Sequence, residues 1–137
     1  MATDTRKGAL DGLVVLDLTT HLSGPFCGMQ LADLGADVIK IESPGGDAMR
    51  GAPPFVAGES APFMLWNRNK RGIKLDLKAA ADLEVFWELV DGADVVLENF
   101  RPGVMDRLGI GWTALSARNP RLVLGSVSGF GQTGPYA

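Results

Sequence analysis

The sequence has few of the residues that cross-link a chain or hold a metal ion. Its 137 residues include one cysteine, Cys27, and one histidine, His21. A single cysteine excludes an internal disulfide and favours a reducing compartment, so we expect a cytoplasmic protein. One histidine and one cysteine, six residues apart, give no recognisable ligand spacing, so we expect no metal site.

The sequence also lacks the features of membrane, secreted and nucleic-acid-binding proteins. No apolar run approaches the roughly 18 residues that a membrane helix needs. The start, MATDTRKGALDG, has no apolar core of a secretory signal. The net charge is −3, whereas nucleic-acid-binding domains usually carry a basic excess. Hydrophobic residues make up 46% of the chain, enough for one core, so we take residues 1–137 as one domain.

Short apolar strands alternate with helical segments along the chain. We predict strands at residues 13–18, 36–42, 72–77, 94–99 and 122–128, and helices at 25–35, 61–70, 78–93, 102–109 and 112–119, with a long loop at 43–60. This alternation predicts an α/β fold with a doubly wound, mostly parallel sheet and helices on both faces. Ligands bind such sheets beyond the carboxyl ends of the strands, and here those ends are rich in glycine or polar residues.

The segment GFGQTG contains the glycine spacing of a dinucleotide-binding turn at Gly129, Gly131 and Gly134. A true fingerprint joins a strand to a helix and is followed by an acidic residue about 20 positions later. Here the motif follows the fifth predicted strand, and three residues remain after it. A plain glycine turn is the favoured interpretation. A nicotinamide enzyme stays an alternative, because Glu42 ends the second strand where a ribose-binding acid would lie.

Basic residues gather near the ends of neighbouring predicted strands, where they would suit a phosphate-bearing ligand. They are Arg68, Lys70, Arg71, Lys74, Lys78, Arg101 and Arg107, and a solvated basic surface is the simpler interpretation of any one of them. Glu98 is the best-placed carboxylate for chemistry. His21 could act as an acid–base group or make a structural hydrogen bond, and Cys27 is expected in the core.

Four blocks of the sequence resemble the family III CoA-transferases: LDGLVVLDLTTHLSGPFCGMQLADLGADVIKIESPGGD, NRNKRGIKLDLK, ADVVLENFRPGVMDRLGIGW and NPRLVLGSVSGFGQTGPYA. This family includes formyl-CoA and carnitine CoA-transferases, and the 2-methylacyl-CoA racemases are close relatives. The resemblance runs from about Leu10 to the last residue and covers the amino-terminal part of the family's pattern. At Leu22 and Ser43, formyl-CoA transferase has glutamine and arginine, so the resemblance does not extend to that enzyme's substrates.

The resemblance implies a Rossmann-like domain that binds coenzyme A (CoA), in a homodimer whose subunits are interlocked. It implies acyl-CoA and an organic acid as substrates and no tightly bound cofactor. The residues that match the family's CoA contacts are Leu22, Ser23, Leu75, Lys78, Asn99, Phe100, Arg107 and Leu108.

The family's mechanism uses an aspartate nucleophile, which forms a mixed anhydride and then an aspartyl-CoA thioester. By the resemblance this aspartate lies beyond Ala137, so we expect no catalytic residue here and no turnover by this amino-terminal part alone. A 2-methylacyl-CoA racemase fragment and a non-catalytic CoA-binding module remain alternatives. Apolar residues such as Phe26, Trp66 and Phe86 are expected to be partly uncovered and to cause self-association.

Overall fold

A computed structural model describes residues 8–137, which form thirteen short elements. Along the chain these are β1 (Val14–Asp17), α1 (Ser23–Asp33), β2 (Asp37–Glu42), a 3₁₀ turn (Ala48–Gly51), β3 (Phe55–Val56), β4 (Glu59–Ser60), α2 (Ala61–Asn67), β5 (Arg71–Lys74), α3 (Ala80–Asp91), β6 (Val95–Glu98), α4 (Val104–Arg107), α5 (Trp112–Arg118) and β7 (Val123–Ser126). All five predicted strands and all five predicted helices are present within a few residues of their expected bounds. The predicted domain, residues 1–137, extends beyond the described residues at its amino end.

The main sheet has five strands in the order β5-β2-β1-β6-β7, and every neighbouring pair is parallel. The chain winds outward from β1 to one side through β2 and β5, and then to the other side through β6 and β7. This confirms the predicted doubly wound α/β fold. It also places the reversal of strand order between β1 and β6, which is the position where open α/β sheets leave a crevice for ligands.

Both faces of the sheet are covered by helices. Successive side chains along each central strand therefore pack into two different hydrophobic cores, one on each face. Leu16, Ile39 and Val96 pack on one face with residues of α3, α4 and α5. Their neighbours Val15, Val38 and Leu97 pack on the other face, which α1 covers. The strands have continuous apolar runs because helices cover both sides of the sheet, so that side chains on both faces are buried.

Two glycines of α1 bring this helix unusually close to the end of β1. A Cβ atom built on Gly24 would lie 2.4 Å from Cβ of Thr19, and one built on Gly28 would lie 2.6 Å from Oδ2 of Asp17. Real Cβ atoms do not approach neighbours this closely. The spacing of four residues puts both glycines on the face of α1 that contacts β1.

The predicted loop at residues 43–60 contains structure that the sequence did not predict. Asp47 Oδ1 accepts the Met49 N–H at 2.9 Å and caps the 3₁₀ turn. β3 and β4 then form a two-stranded antiparallel hairpin, and Ser60 caps α2 by accepting the Phe63 N–H. Strands of two residues are too short to produce a detectable alternation of apolar and polar residues.

The expectation of uncovered aromatic residues is wrong for Phe86, which is fully buried between α3 and the sheet. Phe26 is 42% exposed, and its ring contacts Trp66 edge-on with the centroids 5.7 Å apart. The apolar surface lies where α1 and α2 meet, because Met64 and Leu65 of α2 are also exposed.

Candidate functional site

A cavity of about 270 Å³ opens at the carboxyl ends of β1, β2 and β5 and reaches the segment after β6. Its apolar lining consists of Leu18, Ile41, Pro44, Leu75, Leu77, Phe100 and Leu108, together with Gly46. Its polar lining includes Thr20, Lys40, Glu42, Ser43, Asp47, Asp76 and Lys78. This is the edge of the sheet at which ligands bind in doubly wound folds, so the cavity is the candidate functional site.

Four of the eight predicted CoA-contacting residues line this cavity: Leu75, Lys78, Phe100 and Leu108. Leu75 is buried and follows β5, and Phe100 follows β6. Lys78 is exposed, and within residues 8–137 its ammonium group makes no ion pair. Apolar walls with one available cation beside them suit a ligand that has an aromatic ring and a phosphate.

Three other predicted residues lie outside the cavity lining. Leu22 is 52% exposed and Ser23 is exposed, both at the start of α1, which has no side-chain cap. Arg107 is exposed on α4, and its guanidinium lies over Gly103, where an added Cβ would be 3.3 Å from Nη1. These three residues therefore border the same edge of the sheet without entering the enclosed space.

The eighth predicted residue, Asn99, binds the backbone of the β1–α1 loop. Its Oδ1 accepts the Thr20 N–H at 2.9 Å, and its Nδ2 donates to the Thr20 carbonyl at 2.8 Å. The next residue, Phe100, has its N–H bound by Oε2 of Glu98 at 2.7 Å. Glu98 is 3% exposed and is not in the cavity lining, so it caps this turn and does not present a carboxylate for chemistry.

Sequence reasoning missed a buried polar network that forms one wall of the cavity. Lys40 Nζ donates to the Thr19 carbonyl at 2.8 Å and lies 2.9 Å from Asp47 Oδ2. Glu42 accepts bonds of 2.8 and 2.7 Å from Arg50 and one of 2.9 Å from the Asp47 N–H. The network fastens the segment after β2 to the sheet.

The same network involves Glu42, which was the candidate for the ribose-binding acid of a nicotinamide site. The hydrogen bonds from Arg50 hold the pKa of Glu42 below its usual 4.5, against the opposing effect of burial. Both carboxylate oxygens of Glu42 already accept bonds from the protein, so the residue is committed to the fold. Residues 128–137, which contain GFGQTG, are exposed. Among the described residues, Glu42 is therefore not available as the ribose-binding acid of a nicotinamide site.

Three of the basic residues expected to bind an anion instead pair with carboxylates. Lys70 Nζ lies 2.7 Å from Asp17 Oδ2, with side chains 1% and 0% exposed. Arg68 pairs with Asp33 and Arg71 pairs with Asp37 on the surface. The expectation of one convergent basic cluster is therefore wrong for these residues. Within residues 8–137, Lys74, Lys78, Arg101 and Arg107 make no ion pair, and Lys74 donates to the Pro44 carbonyl at 3.4 Å.

Neither Cys27 nor His21 lines the cavity. Burial raises the pKa of the Cys27 thiol, and the Asp17 charge raises it further against the effect of Lys70. His21 is exposed with φ of 69°, and its Nδ1 lies 3.0 Å from Oγ1 of Thr20.

Residues 8–137 contain no group of three or more His, Cys, Asp and Glu side chains that could hold a metal ion. No helix among these residues is long and apolar enough to cross a membrane.

Comparison with known proteins agrees with the fold and with the family that the sequence resembles. The chain is 54% identical over 132 residues to an acetyl-CoA:oxalate CoA-transferase of Acetobacter aceti, covering 96% of this chain and 34% of that protein. It is 50% identical over 129 residues to a succinyl-CoA:mesaconate CoA-transferase of Haloarcula hispanica, covering 90% of this chain and 33% of that protein. The chain thus spans about a third of the length of these curated relatives.

The solved structures include a CAIB/BAIF family protein from Brucella suis. It is similar to this chain with a TM-score of 0.90 and 46% sequence identity, over 96% of this chain and 36% of that one. The family model described as CoA-transferase family III matches residues 10–137, nearly the whole sequence. The chain therefore belongs to CoA-transferase family III.

Proposed function

We propose that this chain is the CoA-binding part of an enzyme that transfers CoA between an acyl-CoA thioester and a carboxylic acid. The observation that carries the proposal is the cavity, in which four residues chosen from the sequence meet: three apolar residues and one lysine without an ion pair among the described residues. Small-molecule sites usually measure about 300–1,000 Å³. A cavity of about 270 Å³ is therefore sized for one end of CoA, and its apolar walls suit the adenine ring.

Glu42 and Asp47 of the lining are paired with cations, whereas Asp76 makes no ion pair among the described residues, so a phosphorylated ligand depends on the cations that remain. Lys78 borders the opening, and Arg107 adjoins Leu108, which is itself part of the lining. Lys40 is buried and already paired with Asp47, so it contributes little net charge to a ligand. We assign Lys78 and Arg107 to the phosphates and Leu75, Phe100 and Leu108 to the adenine end.

The remaining features of the enzyme are proposed from its family. The relatives named above are called CoA-transferases of oxalate and of mesaconate, which supports an organic acid as acceptor. We propose an aspartyl-CoA intermediate, an interlocked homodimer and a cytoplasmic location, with CoA as a substrate and no tightly bound cofactor. No residue among these 137 is assigned as the nucleophile, so the decisive test measures binding and not turnover.

Calorimetric titration of the purified chain with CoA tests the proposal, with ADP and NADH as comparison ligands. We expect CoA to bind, ADP to bind more weakly and NADH not to bind. Lys78→Ala and Arg107→Ala should each weaken CoA binding by about 1–3 kcal/mol, as expected for loss of a charged hydrogen bond.

A matched control is available. Arg121→Ala removes an exposed arginine near the start of β7, at the opposite edge of the sheet from β5. This control should bind CoA as the unmodified chain does. A folded chain that binds NADH but not CoA, or equal losses in the test and control variants, would contradict the proposal.

A further inference from the structure

One side-chain amide joins the loops that follow β1 and β6. The last backbone bond between these strands runs from the Leu18 N–H to the Leu97 carbonyl at 2.8 Å. Beyond it, the Asn99 amide both accepts from and donates to the backbone of Thr20, at 2.9 and 2.8 Å. These two bonds extend the pairing past the end of the ladder, as the peptide group of one more strand residue would. We call this pair of bonds the amide clamp.

The amide clamp connects two parts of the cavity lining that come from neighbouring strands. Thr20 lines the cavity on the β1 side, and Phe100, directly after Asn99, lines it on the β6 side. His21, next to Thr20, has φ of 69°, a left-handed conformation that non-glycine residues seldom adopt. Such a conformation persists when the surrounding contacts determine the backbone, and here the clamp fixes the preceding residue.

We propose that Asn99 is a positioning residue that pre-forms the cavity by holding Thr20 and Phe100 at a fixed separation, and that it does so before any ligand binds. This inference rests on the proposed CoA-binding function. It differs from the direct contact expected from the sequence, because the amide carbonyl and one amide hydrogen are already bound to Thr20. A pre-formed site binds more tightly because no loop has to be ordered on binding.

Asn99→Asp tests the clamp through pH. The new side chain keeps an acceptor for the Thr20 N–H, but when ionised it places an oxygen against the Thr20 carbonyl and has no hydrogen to donate. Protonation restores a donor, so the folded state raises the pKa of the new carboxyl above its usual value of about 3.9. The variant should therefore match the unmodified chain at low pH and become progressively less stable as pH rises through the raised pKa.

Two measurements, each taken relative to the unmodified chain from about pH 4.5 to 7.5, separate the possible roles. The first is the denaturation midpoint without ligand, which the clamp predicts will fall with rising pH. The second is CoA affinity, which should be about tenfold weaker at the upper pH and recover at the lower one. Asn99→Ala, which adds no charge, should bind about tenfold more weakly at every pH and should lose protection of the Thr20 amide against hydrogen exchange.

Asn119→Asp is the matched control. Like Asn99, Asn119 donates its side-chain amide to the backbone. Its acceptors are the carbonyls of Val90 at 3.0 Å and Ala93 at 2.8 Å, and it does not line the cavity. Its variant should show pH-dependent stability with unchanged CoA affinity, which is the behaviour of a residue with a structural role alone.

Each result decides one question. Stability and affinity that change together with pH in Asn99→Asp, but not in Asn119→Asp, support the positioning role. Affinity that changes while ligand-free stability and Thr20 exchange do not would overturn it in favour of direct contact. Stability that changes without affinity would reduce Asn99 to a structural residue. An unmodified chain that does not bind CoA overturns the proposed function and, with it, the positioning role; the ligand-free measurements then still report whether the clamp exists.

Discussion

Replacing Lys70 with methionine would leave Asp17 buried without its counter-charge. The Lys70 ammonium donates to Asp17 Oδ2 at 2.7 Å, to the Pro25 carbonyl at 2.8 Å and to Asn67 Oδ1 at 2.9 Å. The lysine and aspartate side chains are 1% and 0% exposed, so water cannot replace the lost bonds. Burial lowers the pKa of Lys70, and the Asp17 charge opposes this effect.

Removing one partner of a buried ion pair usually costs about 3–5 kcal/mol. A chain of 137 residues is expected to have a total stability of about 7–20 kcal/mol, so the loss is a large fraction of it. For this length we expect the melting temperature to fall by about 10–20 °C. Asp17→Asn in the same chain removes the unpaired charge and keeps an acceptor for Thr19, so the double variant should be more stable than Lys70→Met alone.

Chemical denaturation of the unmodified chain, the two single variants and the double variant measures the coupling between the residues. Arg118→Met serves as the control, because Arg118 and Asp91 form an ion pair with side chains 49% and 48% exposed. Its midpoint should remain close to that of the unmodified chain, since exposed pairs contribute little. A loss below about 1 kcal/mol for Lys70→Met, or a double variant no more stable than that single variant, would refute the reasoning.

Two further predictions concern the cavity wall and α1. Arg50 depresses the pKa of Glu42, so this pair stabilises the fold above pH 4.5, and the stabilisation is lost as pH falls through the depressed pKa. On acid titration, the stability of Glu42→Gln should therefore fall less steeply than that of the unmodified chain, and coincident stability curves would contradict this. Gly28→Ala should cost about 1–3 kcal/mol in urea unfolding because its Cβ would press on Asp17, whereas Gly51→Ala, with open space around it, should cost less than half as much.

The parts of the fold that sequence predicted correctly depend on local pattern. Each strand is a short apolar run between polar or glycine-rich segments, and its bounds follow from that contrast. The resemblance assigns Leu75 and Phe100 to one site. The predicted parallel sheet agrees with this assignment, because Leu75 lies in the carboxyl-terminal half of one predicted strand and Phe100 directly follows another.

The parts that could not be predicted depend on pairs distant in the sequence. Lys70 and Asp17 are 53 residues apart, and Asn99 and Thr20 are 79 residues apart. From the sequence, Lys70 was expected to be available to an anionic ligand, because nothing near it in the sequence indicates that Asp17 is its partner. By contrast, Glu42, the last residue of β2, and Arg50, in the following 3₁₀ turn, are 8 residues apart. This ion pair could have been predicted, because an acidic and a basic residue stand at the two ends of one short glycine-rich segment.

The central position of β1 affects how the protein is made on the ribosome. Val14, at the start of β1, bonds through its N–H to Asp94, which follows 80 residues later, just before β6. At about 5–20 residues per second, one edge of β1 waits roughly 4–16 s for its partner strand to be synthesised. During this interval Val15 and Leu16 lie beside an unpaired strand edge, which is the kind of surface that aggregates or binds chaperones. Changes that slow translation between β1 and β6 should therefore lower the yield of folded protein without altering its final stability.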